Sequence, residues 1–224
     1  MKKYYSVYEK SALFQGIGNT QMHLLLEELA PFIRDYSHGS IVLFQGETVQ
    51  NIGLILEGSV QGIKNNYSGN EVLVTEMGPG DLFGEFLVCK QEQESPINIK
   101  AKGNATIAFI SFDALIDCGT RNRMLLKNLF SVFSTQYFAL QRKLDYLSQK
   151  SIRDRLLAFM CDMHYEKKTT MFELPFSQTM LADYLGVDRS AMARELSHMK
   201  RDGLLDYYGR SIKLYPCAQC NRRR

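Results

Sequence analysis

Nowhere in its 224 residues does this sequence carry an apolar run of the ~18–20 residues that spans a bilayer. Its start, MKKYYSVYEK, is basic with no apolar stretch behind it, so a secretory leader is not expected and the expected compartment is cytoplasmic. Cysteine is scarce and odd in number: five residues, which argues against a disulfide framework. Cys89, Cys118 and Cys161 lie in apolar surroundings and read as small core residues. Cys217 and Cys220 form the one CxxC, in PCAQCNRRR. A dithiol redox motif should open a helix after a strand, whereas this one comes after the last periodic segment. No second Cys/His pair at zinc spacing accompanies it. Neither a metal site nor an enzyme is expected.

Net charge is small, but its placement is uneven. Residues 1–150 hold 14 Lys/Arg against 15 Asp/Glu, and residues 151–224 hold 13 against 9. The basic last third points to an anionic partner there. From about Ile33 to Phe112 the chain reads GSIVLFQGE, NIGLILEGSVQGI, NEVLVTEM, PINIKA and ATIAFISF, short β-rich runs punctuated by Gly, Asn, Ser and Pro. Turn signals every ~8–12 residues suggest a small all-β barrel or sandwich. Before it, NTQMHLLLEELAPF predicts a helix capped by Asn19 or Thr20 and stopped near Pro31.

From about Asn122 to Ser148 there is neither Gly nor Pro. Leu126, Phe130, Phe133, Tyr137, Leu140, Leu144 and Leu147 recur at alternating spacings of four and three, an a/d seam over ~33 Å of helix. A seam this regular predicts pairing with a second copy about a two-fold axis. SIRD at Ser151 resembles a capping box opening the helix IRDRLLAFMCDMHYE, and a short strand, MFELPF, follows.

The most informative segment is FSQTMLADYLGVDRSAMARELSHMKRDGLLDYYGRSIKLY. Ser177 can cap a first helix with Met180, Leu181 and Leu185 buried; Gly186 ends it and Asp188 caps a second. On that second helix Met192, Leu196 and Met199 form a core face, while Ser190, Arg194, Ser197 and Arg201 form another that is small, polar and cationic. Such a face suits the major groove, where arginine pairs with O6 and N7 of guanine. LLDYYGRSIKLY predicts a hairpin turning at Tyr208-Gly209, with Arg210 at its tip to meet phosphate. The pattern is a winged helix-turn-helix.

LFQGI, GSIVLFQGE, GLILEGSV, GDLFGEF, the long helix and LADYLGVDRSAMARELSHMKRDGLL together resemble the CRP/FNR family of bacterial transcription regulators, from about Leu13 to Tyr215. The resemblance implies an α+β chain: a β-roll sensor domain over 1–118, jelly-roll-like and of the cyclic-nucleotide-binding type, a dimerisation helix over 119–149, and a winged helix-turn-helix over 150–224. It implies a homodimer on a near-palindromic double-stranded operator, with half-sites ~34 Å apart. RNA polymerase and a small-molecule effector are the further implied partners. Family base contacts fall on Arg189, Ser190 and Arg194, and phosphate contacts on Ser177 and Gln178. Many members carry Glu where Ser190 stands, so the preferred half-site is expected to differ there.

In cyclic-AMP-binding members the effector pocket maps onto Gly84, Glu85, Phe86 and Leu87 of GDLFGEFL, then Ser95 and Pro96. On the long helix it maps onto Tyr137, Leu140 and Gln141. The phosphate-binding arginine falls on Ser95, and the following hydroxyl on Pro96, which has neither hydroxyl nor backbone N–H. Glu85, Glu92 and Glu94 surround the position with negative charge instead. The effector is therefore not expected to be cyclic AMP, and its identity stays open. An iron–sulfur sensor needs a cysteine cluster near the amino terminus, and none precedes Cys89. His23, His38, His164 and His198 fall outside the barrel–helix pocket where a haem would sit. A thiol switch on Cys89, Cys118 or the tail pair is one alternative. A ligand-binding module acting through protein partners without DNA is another.

Overall fold

The run NIGLILE is apolar at nearly every position because its strand is covered on both faces. The computed structural model describes residues 2–65, 71–89, 93–175 and 177–215. The chain divides into two units, Met1–Thr135 and Gln136–Arg224.

In the first unit the strands are β1 (Phe32–Tyr36), β2 (Ile41–Leu43), β3 (Asn51–Glu57), β4 (Val60–Asn65), β5 (Glu71–Met77), β6 (Leu82–Phe83), β7 (Asn98–Ala101) and β8 (Ala105–Ser111). They form two antiparallel sheets, β1-β8-β3-β6 and β2-β7-β4-β5. Alternation along β8 decides the layers. Ala105 and Ile107 join Ile55, Val60 and Ile99 in the inner core, whereas Ala108 and Ile110 join Ile52, Leu54 and Leu56 on the outer face. Helices α1 (Tyr5–Lys10), α2 (Asn19–Leu29) and α3 (Phe112–Arg121) cover that outer face with Tyr8, Met22, Leu26 and Leu115. The strand-rich roll agrees with the sequence reading, with β6 added inside the glycine turn.

Two helix boundaries differ from expectation. The N-cap of α2 is Gly18, with no side-chain cap, so neither Asn19 nor Thr20 performs that role. Its other end stops as expected: Ala30, next to Pro31, leaves the helix in the left-handed region at φ 41°. The long helix α4 runs Arg123–Ser148, while residues 119–121 close α3. Asn122 separates them: its Oδ1 accepts from the backbone N–H groups of Met124 and Leu125, at 3.1 and 3.2 Å. Gly119 lets α3 lie against Leu126, whose side chain would be 2.7 Å from a Cβ there. Leu126 is thereby partly packed inside its own unit. Asn128 ties α4 to the amino-terminal segment by donating to Leu13 O and Gln15 O at 3.0 and 2.8 Å.

The second unit contains the end of α4, α5 (Ile152–Lys167), β9 (Met171–Glu173), α6 (Gln178–Leu185), α7 (Arg189–Arg201), β10 (Leu205–Tyr208) and β11 (Ser211–Leu214). Ser151 caps α5, its Oγ accepting from Asp154 N at 3.0 Å. The strands form one antiparallel sheet, β10-β11-β9. Tyr208 pairs with Ser211, so the turn is Gly209-Arg210, one residue later than expected. Leu181, Ala182 and Leu185 are the buried residues of α6, and Met180 is exposed: Ala182 takes the core position given to Met180.

Two cysteine readings are also corrected. Cys89 is exposed, its thiol donating to Glu85 O at 3.3 Å. Cys161 is buried in the core as expected, but it is disulfide-bonded, against the expectation of a chain without disulfides. Cys217, Cys220 and Glu92 lie outside the described residues.

Candidate functional site

Two short helices and their turn make the first candidate site. The Ser177 hydroxyl accepts from Met180 N at 3.2 Å, which fixes the start of α6. Gly186 ends it in the left-handed region, φ 62°. Arg155, not singled out by sequence reasoning, secures that end. It donates to Leu185 O at 3.0 Å and Gly186 O at 3.2 Å, and through Nε to Gln149 O at 3.2 Å. A cation on the last carbonyls of a helix complements the dipole there. Asp188 then caps α7, its Oδ1 accepting from Ala191 N at 2.9 Å and from the Ser190 hydroxyl at 2.5 Å. The Ser190 bond, followed by that from Ala191 N, holds the Asp188 carboxyl below its ordinary range.

The two sides of α7 differ in what happens to their charge. Met192, Leu196 and Met199 are buried. Beside them Arg153 of α5 pairs with Glu195 at 2.6 Å and Asp202 at 2.7 Å, and Lys200 pairs with Asp206 at 2.5 Å. Arg189, Arg194 and Arg201 are exposed and make no salt bridge with any described residue. Cations behind the helix are thus paired, whereas the three in front form no salt bridge among the described residues.

The other sequence-predicted residues are placed less freely. Ser197 is exposed, but its hydroxyl donates to Ala193 O at 3.0 Å and lies 3.3 Å from Tyr207 Oη of β10. Arg210 is exposed at the hairpin turn, yet its Nε donates to Leu174 O at 3.1 Å. Gln178 is half-buried on the first turn of α6. At the hairpin tip Tyr208 is 90% exposed, the most open of the large apolar side chains among the described residues, and composition alone did not mark it.

The second candidate is the glycine turn Gly78–Gly84. Several of its backbone groups are bonded within the roll. Gly80 N donates to Ile55 O at 2.9 Å, Ile55 N to Asp81 O at 3.1 Å, and Gly78 N to Asp81 Oδ2 at 2.8 Å. Gly84 turns at φ 81°, and its carbonyl accepts from Leu87 N and Val88 N. Within the roll Phe83 lies across Gly53, where an added Cβ would sit 2.1 Å from the ring. Glu85 is 5% exposed and Ser95 3%. Ser95 donates its N–H to Glu47 O at 2.9 Å, accepts from Gly46 N at 2.8 Å and gives its hydroxyl proton to Ile97 O at 2.7 Å. Pro96 is exposed. Phe86 is exposed with its ring 5.3 Å from that of Phe133, and Leu87 packs on the inner core.

On α4 the seam side chains Phe130, Tyr137, Leu140 and Leu144 are 63, 54, 58 and 52% exposed, while Phe133 and Leu147 are half-buried. Gln141 donates to the Tyr137 hydroxyl at 3.0 Å. Among the described residues no helix is long and apolar enough to cross a membrane.

A roll of two four-stranded sheets followed by a helix-turn-helix with its β-hairpin defines a two-domain regulator architecture. Residues 33–122 match the cyclic nucleotide-binding domain family, and residues 154–215 match the Crp-like helix-turn-helix domain family. The Cyclic AMP receptor protein of Thermus thermophilus is 24% identical over 87% of this chain and 88% of its own length. The crystal structure of the Thermus thermophilus catabolite activator protein covers 95% of this chain and 97% of that one, at 21% identity and TM-score 0.56. OCPA-complexed CprK superposes with TM-score 0.68 over 85% of this chain and 91% of that one, at 20% identity. The chain belongs to the CRP/FNR family: it is a DNA-binding transcription regulator of that type with a ligand-binding domain.

Proposed function

We propose that the protein is a homodimeric, sequence-specific regulator whose roll senses a small molecule other than cyclic AMP and repositions the recognition helices. The exposed row Arg189, Arg194 and Arg201, which forms no salt bridge among the described residues, carries this reading, because acids pair with the cations behind the same helix. In this reading α7 lies in the major groove with Arg189, Ser190 and Arg194 at base edges, and Ser197 and Arg201 further along the same face. Ser177, Gln178 and Arg210 meet phosphates from α6 and the wing. The roll is residues 1–118, the dimerisation segment 119–149 and the DNA-binding domain 150–224. Exposed Phe130, Tyr137, Leu140 and Leu144 support pairing along α4, since so long an apolar stripe in water favours burial against a copy of itself. RNA polymerase is the protein partner in this scheme.

The sensor assignment draws on Ser95. Its hydroxyl proton and both backbone groups are engaged inside the roll, and Pro96 faces out. Each charge-assisted bond to an anion contributes roughly 1.5–3 kcal/mol, and this segment supplies neither the arginine nor the hydroxyl for one. An effector at Gly84, Glu85, Phe86, Leu87, Tyr137, Leu140 and Gln141 is thus less anionic than a nucleotide phosphate.

Duplex binding across a salt series tests the function. Affinity should fall by orders of magnitude between ~50 and ~200 mM salt, and cyclic AMP should leave it unchanged. A flat salt response favours a module acting through protein partners. A thiol-responsive regulator is a second reading, favoured by the disulfide at Cys161. Cys118 is a poorer switch, because burial, then Asp117, pushes its thiol up. Reductant changing operator affinity while cyclic AMP does not would support the second reading.

A further inference from the structure

We propose that Ser190 reads the operator as a hydrogen-bond acceptor and so selects an exocyclic amino group, adenine N6 or cytosine N4, at one base pair of each half-site. The inference rests on the DNA-binding reading and adds the polarity of one contact to it.

Ser190 stands exposed on the helix of a Crp-like helix-turn-helix domain, with exposed Arg189 and Arg194, which form no salt bridge among the described residues, as neighbours. A hydroxyl has one proton and two lone pairs. The Ser190 hydroxyl lies 2.5 Å from Asp188 Oδ1, and an ionised carboxylate has no proton to give, so the serine is the donor. The same oxygen is held in place by Ala191 N at 2.9 Å, and the carboxyl is kept ionised well below neutral pH. With its proton committed, Ser190 offers a base only lone pairs. In the major groove O6 and N7 of guanine, N7 of adenine and O4 of thymine are acceptors, and only adenine N6 and cytosine N4 donate. The hydroxyl therefore rejects the acceptor edges. The two arginines, donors only, take them, leaving an acceptor between two cationic donors along the helix. The carboxylate that many family members carry here also accepts, so Asp188 gives a short neutral side chain the same polarity. Small neighbours on the face, Ala193 and Ser197, let the helix approach closely enough for a short side chain to reach.

The test uses the full chain and its Ser190→Ala variant, which keeps the Asp188–Ala191 cap. Selection from a random duplex library identifies the base pair whose preference Ser190→Ala flattens. At that pair the donor is deleted, with purine for adenine or pyrimidin-2-one for cytosine. In a parallel duplex N7 of the purine is removed by its 7-deaza analogue. Donor deletion should weaken the wild-type protein about tenfold and the variant less than about twofold, while N7 deletion should affect both equally. Identical selections for the two proteins overturn the proposal. So does equal loss of affinity on donor deletion, or a selective wild-type loss on N7 deletion. A wild-type protein that enriches no sequence overturns the DNA-reading function itself.

Discussion

The glycine turn of the roll and the face of α7 treat their polar groups in opposite ways. At the turn, Gly80 and Asp81 bond to Ile55 and Gly78 bonds to Asp81, while Ser95 beyond it bonds to Gly46, Glu47 and Ile97, all within the same roll. On α7, the arginines that face out make no salt bridge among the described residues, Arg194 only acting at longer range on Asp188, whereas Glu195, Asp202 and Asp206 pair directly with cations nearby. The lesson concerns where recognition chemistry survives. A phosphate cradle needs unsatisfied donors, and an N–H or hydroxyl already bonded within the fold has to break that bond before it can hold a ligand. A surface built of uncompensated cations needs no such exchange.

The strongest way to break this contrast is to remove the free cations. Arg189→Ala combined with Arg194→Ala should weaken specific DNA binding by about 100-fold or more and shallow the salt slope, with thermal stability almost unchanged. A titration series at several salt concentrations checks this. Loss of folding in the double variant would mean that the arginines belong to the structure rather than to a ligand.

On the roll side, Gly53→Ala should destabilise the first unit by about 1–3 kcal/mol, because the Phe83 ring occupies the space a Cβ needs. Chemical denaturation followed by roll-specific signals measures it. An unchanged midpoint would show that the ring moves away at little cost. Ser95→Ala should cost about 1 kcal/mol, leaving Ile97 O without its donor, and should not alter the response to cyclic AMP. Calorimetry with cyclic AMP on both proteins sharpens the comparison, and heat lost only in the variant would return Ser95 to a binding role.

The smallest effect is a pH dependence at the start of α7. The folded Asp188 carboxyl titrates below its unfolded value of about 3.9. Its contribution is therefore complete above that value and lost as pH falls through the lower, folded one. The difference in melting temperature between wild type and Asp188→Ala should be constant from pH 7 to about 5 and shrink under more acid conditions. A gap that persists at pH 2 would assign the cap to something other than the carboxylate.

The order of elements was legible from the chain where the signal is local. The Ser151, Ser177 and Asp188 caps, the Gly186 break and the buried trio Met192, Leu196 and Met199 each follow from residues within a few positions of one another. The errors fell where a distant or rotamer-level contact decides. Gly18 rather than Asn19 opens α2, Asn122 divides α3 from α4, Ala182 replaces Met180 in the core, and Cys89 faces water. Arg155 went unnoticed because its partners are carbonyls about 30 positions later, at Leu185 and Gly186.

By itself the sequence determined the three-part plan: a glycine-punctuated roll, a breaker-free helix with an apolar seam, and a capped helical pair with a cationic face. Those features depend on period, φ preference and capping within a turn or two of the chain. Which polar groups are left to meet a ligand was decided by tertiary structure alone. Arg153 meets Glu195 across 42 positions and Ser95 meets Glu47 across 48, whereas Arg189, Arg194 and Arg201 form no salt bridge among the described residues. A side chain's freedom depends on what the fold brings beside it, and neither composition nor spacing carries that distance.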